Sequence, residues 1–394
     1  MKRLVLLLIA LAAAAPERAQ AAPCDSFPNP VYVQAGDTQT NLLKNLGRAL
    51  RDNTPNPITL VFFTSGSCTN IQAIYTRVPI TANMTIIPSI AEDPNWTPAS
   101  PAVTCTPPTG GIVPDVANSA LFNSACTTDP PPATVQVKQG PVQAYVMAVP
   151  KASAQTAITF EEAYFVFGFG AAGMITPWAD EAQMFIRTTT KSTLLAWAAN
   201  IGVPGAQWKG MMLDKSADVV NNLLASPTPE KAIGILGVEV YDGLRDKLSV
   251  LAYRAKGQYA AYYPDSTFTA RDKKNLRDGH YTVWSPTIWM ETLDAGGNPV
   301  SARAHYVTEL IAGREVTPAP NFDMTRIITL VGLVPDCAMG VNRSFEGGPL
   351  TLYKPAQSCV CKYESLVDVS SCQTCSVASP CGAGVCRAGF CEVQ

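Results

Sequence analysis

The sequence predicts an α/β fold in two lobes with a ligand cleft between them, followed by a small disulfide-rich module. Three observations carry this expectation. Strand-like apolar runs alternate with helix-periodic segments over 22–336, more chain than one core comfortably serves. Eight of the twelve cysteines lie in 337–394, and none falls between Thr127 and Asp336. With 47% hydrophobic and 15% charged residues, the chain has the composition of a protein that buries a core.

Residues 1–21 read as an export signal, with Lys2 and Arg3 as the basic start, Leu4 to Ala15 as the apolar stretch and Ala19-Gln20-Ala21 as the cleavage site. That stretch is too short to span a membrane, and no later run approaches the roughly 20 apolar residues a span needs. Pro23 before Cys24 argues against a lipid-anchored cysteine. Removing Lys2, Arg3, Arg18 and Glu17 takes the formal net charge from −2 to −4. No basic stripe suited to a phosphate backbone is present, so nucleic acid is not expected as a partner. The expected location is periplasmic, or secreted and cell-surface.

The body opens with a strand at Val31 to Gln34, a turn at Ala35-Gly36-Asp37, and Leu42, Leu43, Leu46 and Leu50 at helical spacing. The run "ITLVFFT", the turn Ser65-Gly66-Ser67 and a helix over Asn70 to Tyr75 repeat the plan. Two helix N-termini thus face one crevice, where unpaired N–H groups and the helix dipole favour an anion. The Pro-, Thr-, Ser- and Gly-rich stretch 91–132 is expected to be irregular. Val142 to Lys151 reads as a strand, and Thr159 with Glu162 as the capping box of the helix that follows. A helix from Ser192 to Gly202, another in "ADVVNNLLAS", a strand in "AIGILGVEVY", a strand over His280 to Leu293 and a helix over Ser301 to Gly313 continue the alternation, and "RIITLVGLVP" is the last apolar element before Cys337.

All twelve cysteines, Cys24, Cys68, Cys105, Cys126, Cys337, Cys359, Cys361, Cys372, Cys375, Cys381, Cys386 and Cys391, are expected in disulfides of an oxidising compartment. The Cys-x-Cys at 359 and 361 and the Cys-x-x-Cys at 372 and 375 also suit zinc or thiol exchange, but disulfides are favoured and no metal is expected. Eight cysteines allow 105 pairings, so the connectivity stays open.

Several segments resemble the periplasmic phosphate-binding proteins of ABC importers, in the type II solute-binding superfamily. "AGDTQ" is similar to that family's first anion loop, "TSGSCT" to its second, and "PDVANSA" to the stretch that follows. "ITFEEAYFVFGFG" with "ITPWADE", then "AIGILGVEVY" and "DGHYTVWSP", continue the likeness in the same order, over roughly Val31 to Met290. The resemblance implies a type II periplasmic-binding-protein fold with lobe 1 in 22–145 and 284–336, lobe 2 in 146–283, and an added cysteine-rich module in 337–394. It also implies anion contacts from Thr38, Ser67, Arg187 and Thr193. Ala120 follows Ser119 where the family carries Asp, and Asp115 remains nearby. Lys191 stands before Ser192 and Thr193 as a further point charge.

The function this implies is capture of a small phosphate-like oxyanion for ABC-type uptake, by a monomer without a cofactor and with a permease as partner. The alternative is a cell-surface or secreted interaction protein that keeps the scaffold but has lost the anion site, with the cysteine-rich tail as its contact module. Simpler roles stand beside the sharp ones. Thr38, Ser67 and Thr193 are also the residue types that cap helices. Arg187 also suits a surface or interlobe ion pair and Lys191 a solvated charge near a helix start. The mixed-charge run 265–280 reads as a solvated loop, and Tyr164, Phe165, Phe167 and Phe169 as core. No catalytic residue is expected. His280 and His305 are the only histidines, "FTSGSC" lacks the G-x-S-x-G frame, and no Walker loop or H-E-x-x-H occurs.

Overall fold

The computed structural model describes residues 21–53, 55–314, 322–367 and 371–393. The export-signal reading therefore lies outside the described residues except for Ala21, as do 315–321 of the proposed lobe 1.

Strand β1 (Pro30–Gly36) runs through a 3-10 turn at Asp37–Gln39 into α1 (Thr40–Arg51), and β2 (Thr59–Ser65) runs into α2 (Ser67–Thr76). α1 buries Leu42, Leu43, Leu46 and Leu50 along one face, as their spacing requires. After β3 (Met84–Ile86), the stretch expected to be irregular contains β4 (Val103–Cys105) and the fully buried β5 (Val116–Ser119). Four residues are too few to display a strand period, which is why β5 escapes a reading of the sequence. β6 (Val135–Pro150) is longer than expected.

β7 (Ala157–Thr159) leads into α3 (Phe160–Phe169), where both halves of the capping box form. The Glu162 N–H donates to Thr159 Oγ1 at 3.1 Å and the Thr159 N–H to Glu162 Oε2 at 2.8 Å. β8 (Met184–Arg187), α4 (Ser192–Ile201), β9 (Met211–Leu213), α5 (Ser216–Ala225) and β10 (Ile233–Gly237) follow. The "AIGILGVEVY" run is not one strand: it ends at Gly237 and turns into the short α6 (Val238–Tyr241). β11 (Leu248–Val250), β12 (Ala252–Arg254) and α7 (Lys274–Arg277) precede β13 (Trp284–Thr292), which starts four residues later than expected. α8 (Ala302–Ile311), capped by Ser301, and α9 (Met324–Leu330) complete the body.

Among the described residues, one eleven-stranded sheet runs β4-β3-β2-β1-β5-β13-β6-β10-β8-β9, with β11 also on β6. β1 is parallel to β2 and β5, and β8 to β9 and β10. β6 joins the two halves: Val135 to Ala144 pair with β13, and Tyr145 to Ala148 pair with β10. Each half has its own core. One packs Leu42, Leu46, Val307 and Ile328 against Val31, Val33 and Leu60, and the other packs Phe167, Trp197 and Leu223 around Val146, Ile186 and Ile235. No described helix is long and apolar enough to cross a membrane.

Two expectations are corrected here. The 265–280 run is no solvated loop, since Asp265, Asp272, Lys273 and Arg277 are buried. Lys273 pairs with Asp242 at 2.8 Å and Asp265 at 3.0 Å, and Arg245 bonds both carboxylates, so mutual neutralisation permits burial. Of the four aromatics read as core, Phe167 is fully buried but Phe165 and Phe169 are about 40% exposed (42% and 43%).

All twelve cysteines are paired, as 24–105, 68–126, 337–359, 361–372, 375–386 and 381–391. Cys372 and Cys375 bond to different partners, so the Cys-x-x-Cys is neither a dithiol nor a metal pair. The C-terminal segment carries β14 (Val341–Asn342), β15 (Thr351–Leu352), α10 (Val360–Leu366), β16 (Val385–Arg387) and β17 (Phe390–Glu392). It docks on the body: Tyr363 is buried under the Arg277 guanidinium, which also bonds Glu364 at 2.8 Å, and Lys362 pairs with Asp323 at 3.0 Å.

Candidate functional site

Parallel strands followed by helices leave the helix N-termini at the carboxyl ends of the strands, and three of them converge here. The Cys68 N–H in the first turn of α2 donates to the Thr190 carbonyl just before α4, at 3.2 Å. Only glycine fits at 66, because a Cβ there would stand 2.6 Å from Thr190 Oγ1 and 2.8 Å from its carbonyl oxygen. The turn before α1 adjoins both, since a Cβ on Gly36 would lie 3.4 Å from Thr38 Oγ1 and 4.0 Å from Ser67 Oγ. The Cys68–Cys126 disulfide ties the start of α2 to the loop after β5.

Thr38, Ser67, Arg187, Lys191 and Thr193 are all buried around this meeting point. None of the three hydroxyl residues caps its helix. The cap positions belong to Gln39, Gly66 and Lys191, whose side chains make no cap bond. Ser67 Oγ instead accepts from the Ala120 N–H at 3.1 Å, and Thr193 Oγ1 has no partner among the described residues.

Arg187, at the end of β8, donates to the Leu213 carbonyl (3.2 Å), Ser216 Oγ (2.5 Å), the Asp214 carbonyl (2.6 Å) and Asp37 Oδ2 (2.9 Å). Lys191 pairs with the exposed Asp214 at 3.0 Å. Two expected residues stand apart. Asp115 precedes β5, whose Val116 pairs with Val33, so it lies at the opposite end of the strand from the helix N-termini. At about 3.3 Å per residue it is far from them. Its carboxylate accepts the Tyr32 N–H at 2.9 Å, and burial raises its pKa. Ser119 is near, but its hydroxyl is turned to the Leu121 carbonyl at 2.8 Å.

The structure adds residues that the sequence reading did not assign to the site. Asp37 lies inside the "AGDTQ" segment, so its position was in view although its role was not. Gln39 Nε2 donates to Gln143 Oε1, leaving Gln39 Oε1 and Gln143 Nε2 buried without partners among the described residues. Tyr145, where β6 passes between the halves, donates its hydroxyl to the Ala120 carbonyl, and burial raises its pKa well above the ordinary value. Beside Asp37, a pocket of about 300 Å³ is lined by Thr38, Thr40, Ser216 and Glu239. Glu239 is buried with neither oxygen partnered among the described residues, and burial drives its pKa well above the ordinary carboxylate range.

No protein-family model matches the chain, and no curated protein matches it. Solved structures do. A protein described as a phosphate ABC transporter substrate-binding protein from Clostridium perfringens, with bound phosphate, shares 11% identity over 78% of this chain and 99% of its own, with a TM-score of 0.53. An ABC-type phosphate transport receptor from Vibrio cholerae shares 9% over 78% and 100%, with a TM-score of 0.49. The CcmR regulatory domain of Synechocystis, in complex with 2-PG, shares 9% over 72% and 96%, at 0.40. Identity at this level bears on fold alone. The chain has the two-lobed α/β fold of periplasmic solute-binding proteins, with a disulfide-rich C-terminal module added to it.

Proposed function

We propose that this is an exported solute-binding protein that captures a small phosphate-like oxyanion between its lobes, for delivery to an ABC-type permease. The observation that carries the reading is Thr193 Oγ1, a buried hydroxyl in the first turn of α4 without a partner among the described residues. The first N–H groups of α4 have no partner within the helix, and helix dipole and hydroxyl together favour an anion there. Arg187 has five N–H donors, of which the four bonds above engage four. The paired cysteines suit an oxidising compartment outside the cytoplasm. Binding alone is proposed, with no reaction.

Thr193→Val keeps the shape and removes the donor. Equilibrium dialysis with labelled phosphate should show affinity falling about tenfold, the worth of one charge-assisted hydrogen bond, with the melting temperature little changed. Undiminished affinity in the folded variant overturns the assignment of this site.

A second reading has its own support. The Asp37 carboxylate already sits on Arg187 and on the N-terminus of α5, and the C-terminal module is docked rather than free. On that reading the cleft is a fixed joint of an interaction protein, and no oxyanion binds.

A further inference from the structure

The pocket beside Asp37 is lined by two kinds of side chain. Asp37 and Thr40, from the turn before α1 and its first residue, bring oxygen atoms, as does Glu239 of α6. Val220 of α5, Val240 of α6 and Leu244 of the 3-10 turn that follows are apolar. Its volume of about 300 Å³ is at the lower end for small-molecule sites.

The two carboxylates are in different states. The Arg187 guanidinium meets the Asp37 charge, and the bonds from Arg187, the Ser216 N–H and the Ser216 hydroxyl all end on Oδ2. Asp37 Oδ1 accepts none of the three. Glu239 is only 5% exposed, and neither of its oxygens has a partner among the described residues. Glycine at 237 leaves the space this carboxylate occupies, since a Cβ there would clash with both oxygens. The charges that act on Glu239 are Asp37, Asp242 and Arg187. Asp37 is paired with Arg187, and Asp242 with Lys273 and Arg245. When Glu239 ionises, the cluster lacks one positive charge.

We propose that this pocket binds a short primary alkylamine, with its ammonium on Glu239 and Asp37 and its chain against Val220, Val240 and Leu244. An ammonium is a compact charge with three donors, which suits two carboxylates and a hydroxyl. Thr40 Oγ1 already donates to the Asp37 carbonyl at 2.7 Å, so its lone pairs are left to accept. The same carboxylates repel an anion, and the apolar side chains favour a ligand with CH₂ groups to bury. The site uses neither Thr193 nor the start of α4, so it is independent of the oxyanion reading. In the free protein burial raises the Glu239 pKa, and an arriving ammonium favours the ionised form, so binding should release the Glu239 proton to solvent.

The test is isothermal titration of the full mature, oxidised chain near neutral pH and at fixed ionic strength, with n-butylammonium, methylammonium, 1-butanol and calcium chloride, for wild type and Glu239→Gln. The expected result is saturable binding of n-butylammonium, at least about tenfold tighter than that of methylammonium or 1-butanol and weakened at least about tenfold in the folded variant. Its heat should vary with the ionisation enthalpy of the buffer in the direction of proton release. A wild type without saturable n-butylammonium binding overturns the proposal, and so does a folded Glu239→Gln that binds it undiminished. Equal binding of 1-butanol would reduce the site to an apolar cavity, and calcium binding that n-butylammonium does not displace would make it an inorganic-cation site; either overturns the amine assignment. Should Glu239→Gln not fold, the wild-type contrast between n-butylammonium and 1-butanol decides, together with the sign of the proton exchange. Whether phosphate binds has no bearing on these outcomes.

Discussion

Asp37 and Arg187 are joined across the cleft at 2.9 Å, the carboxylate coming from the turn after β1 and the guanidinium from the end of β8 in the other half of the sheet. The same Asp37 oxygen accepts the Ser216 N–H at 3.0 Å and its hydroxyl at 3.1 Å. The protein's own carboxylate therefore occupies an arginine and helix-N-terminus position of the kind that binds anions. Asp37→Ala should cost about 1–3 kcal/mol, below the range for fully buried pairs because the Asp37 side chain is 21% exposed. Urea denaturation reads this directly, and an unchanged midpoint would show that the bridge contributes nothing.

Glu239 makes stability fall as pH rises. Burial raises its folded pKa, so above the ordinary carboxylate range the unfolded chain has released the proton that the folded chain still holds. Its contribution is neutral below that range and destabilising above it. Glu239→Gln should therefore raise the melting temperature more at pH 8 than at pH 4.5, and an equal shift at both would mean that the group titrates normally.

The Cys68–Cys126 bridge closes a loop of sequence separation 58. The chain-entropy account puts its effect at up to about 4 kcal/mol. The double Cys68→Ser, Cys126→Ser variant should melt at lower temperature, and it should also bind phosphate more weakly because the start of α2 is no longer tied to the loop after β5. Thermal melting and dialysis on the same sample separate the two effects. Lowered stability with full affinity would confine the bridge to a structural role.

Thr159→Ala should remove about 1 kcal/mol by taking the cap from α3. The helix contributes none of the residues named around the converging N-termini, so phosphate affinity should stay at the wild-type value. A variant that binds more weakly would mean that α3 communicates with the cleft.

What could be read from the sequence was what local rules govern. Leu42, Leu43, Leu46 and Leu50 display the helical period that α1 buries, and Thr159 with Glu162 form the expected box. The loops carrying Thr38 and Ser67 were placed by strand, turn and helix order alone. What escaped depends on contacts between distant segments. Glu346 meets Ser285 across 61 residues of sequence, and no periodicity announces such a meeting. Asp115 was close in sequence to Ser119, but strand rise separates them in space. Glu239 reads as a strand residue because the apolar Val238 and Val240 flank it in strand-like alternation, and only the turn at Gly237 reveals the short helix.

The most direct measurement is an isothermal titration of phosphate into the mature, fully oxidised protein, stripped of bound anions by reversible unfolding. Saturable binding at one site per chain, lost on Arg187→Ala, is the expected result. A folded wild type with no saturable heat for phosphate, arsenate or sulfate would contradict it, and the closed Asp37–Arg187 joint would then describe the protein.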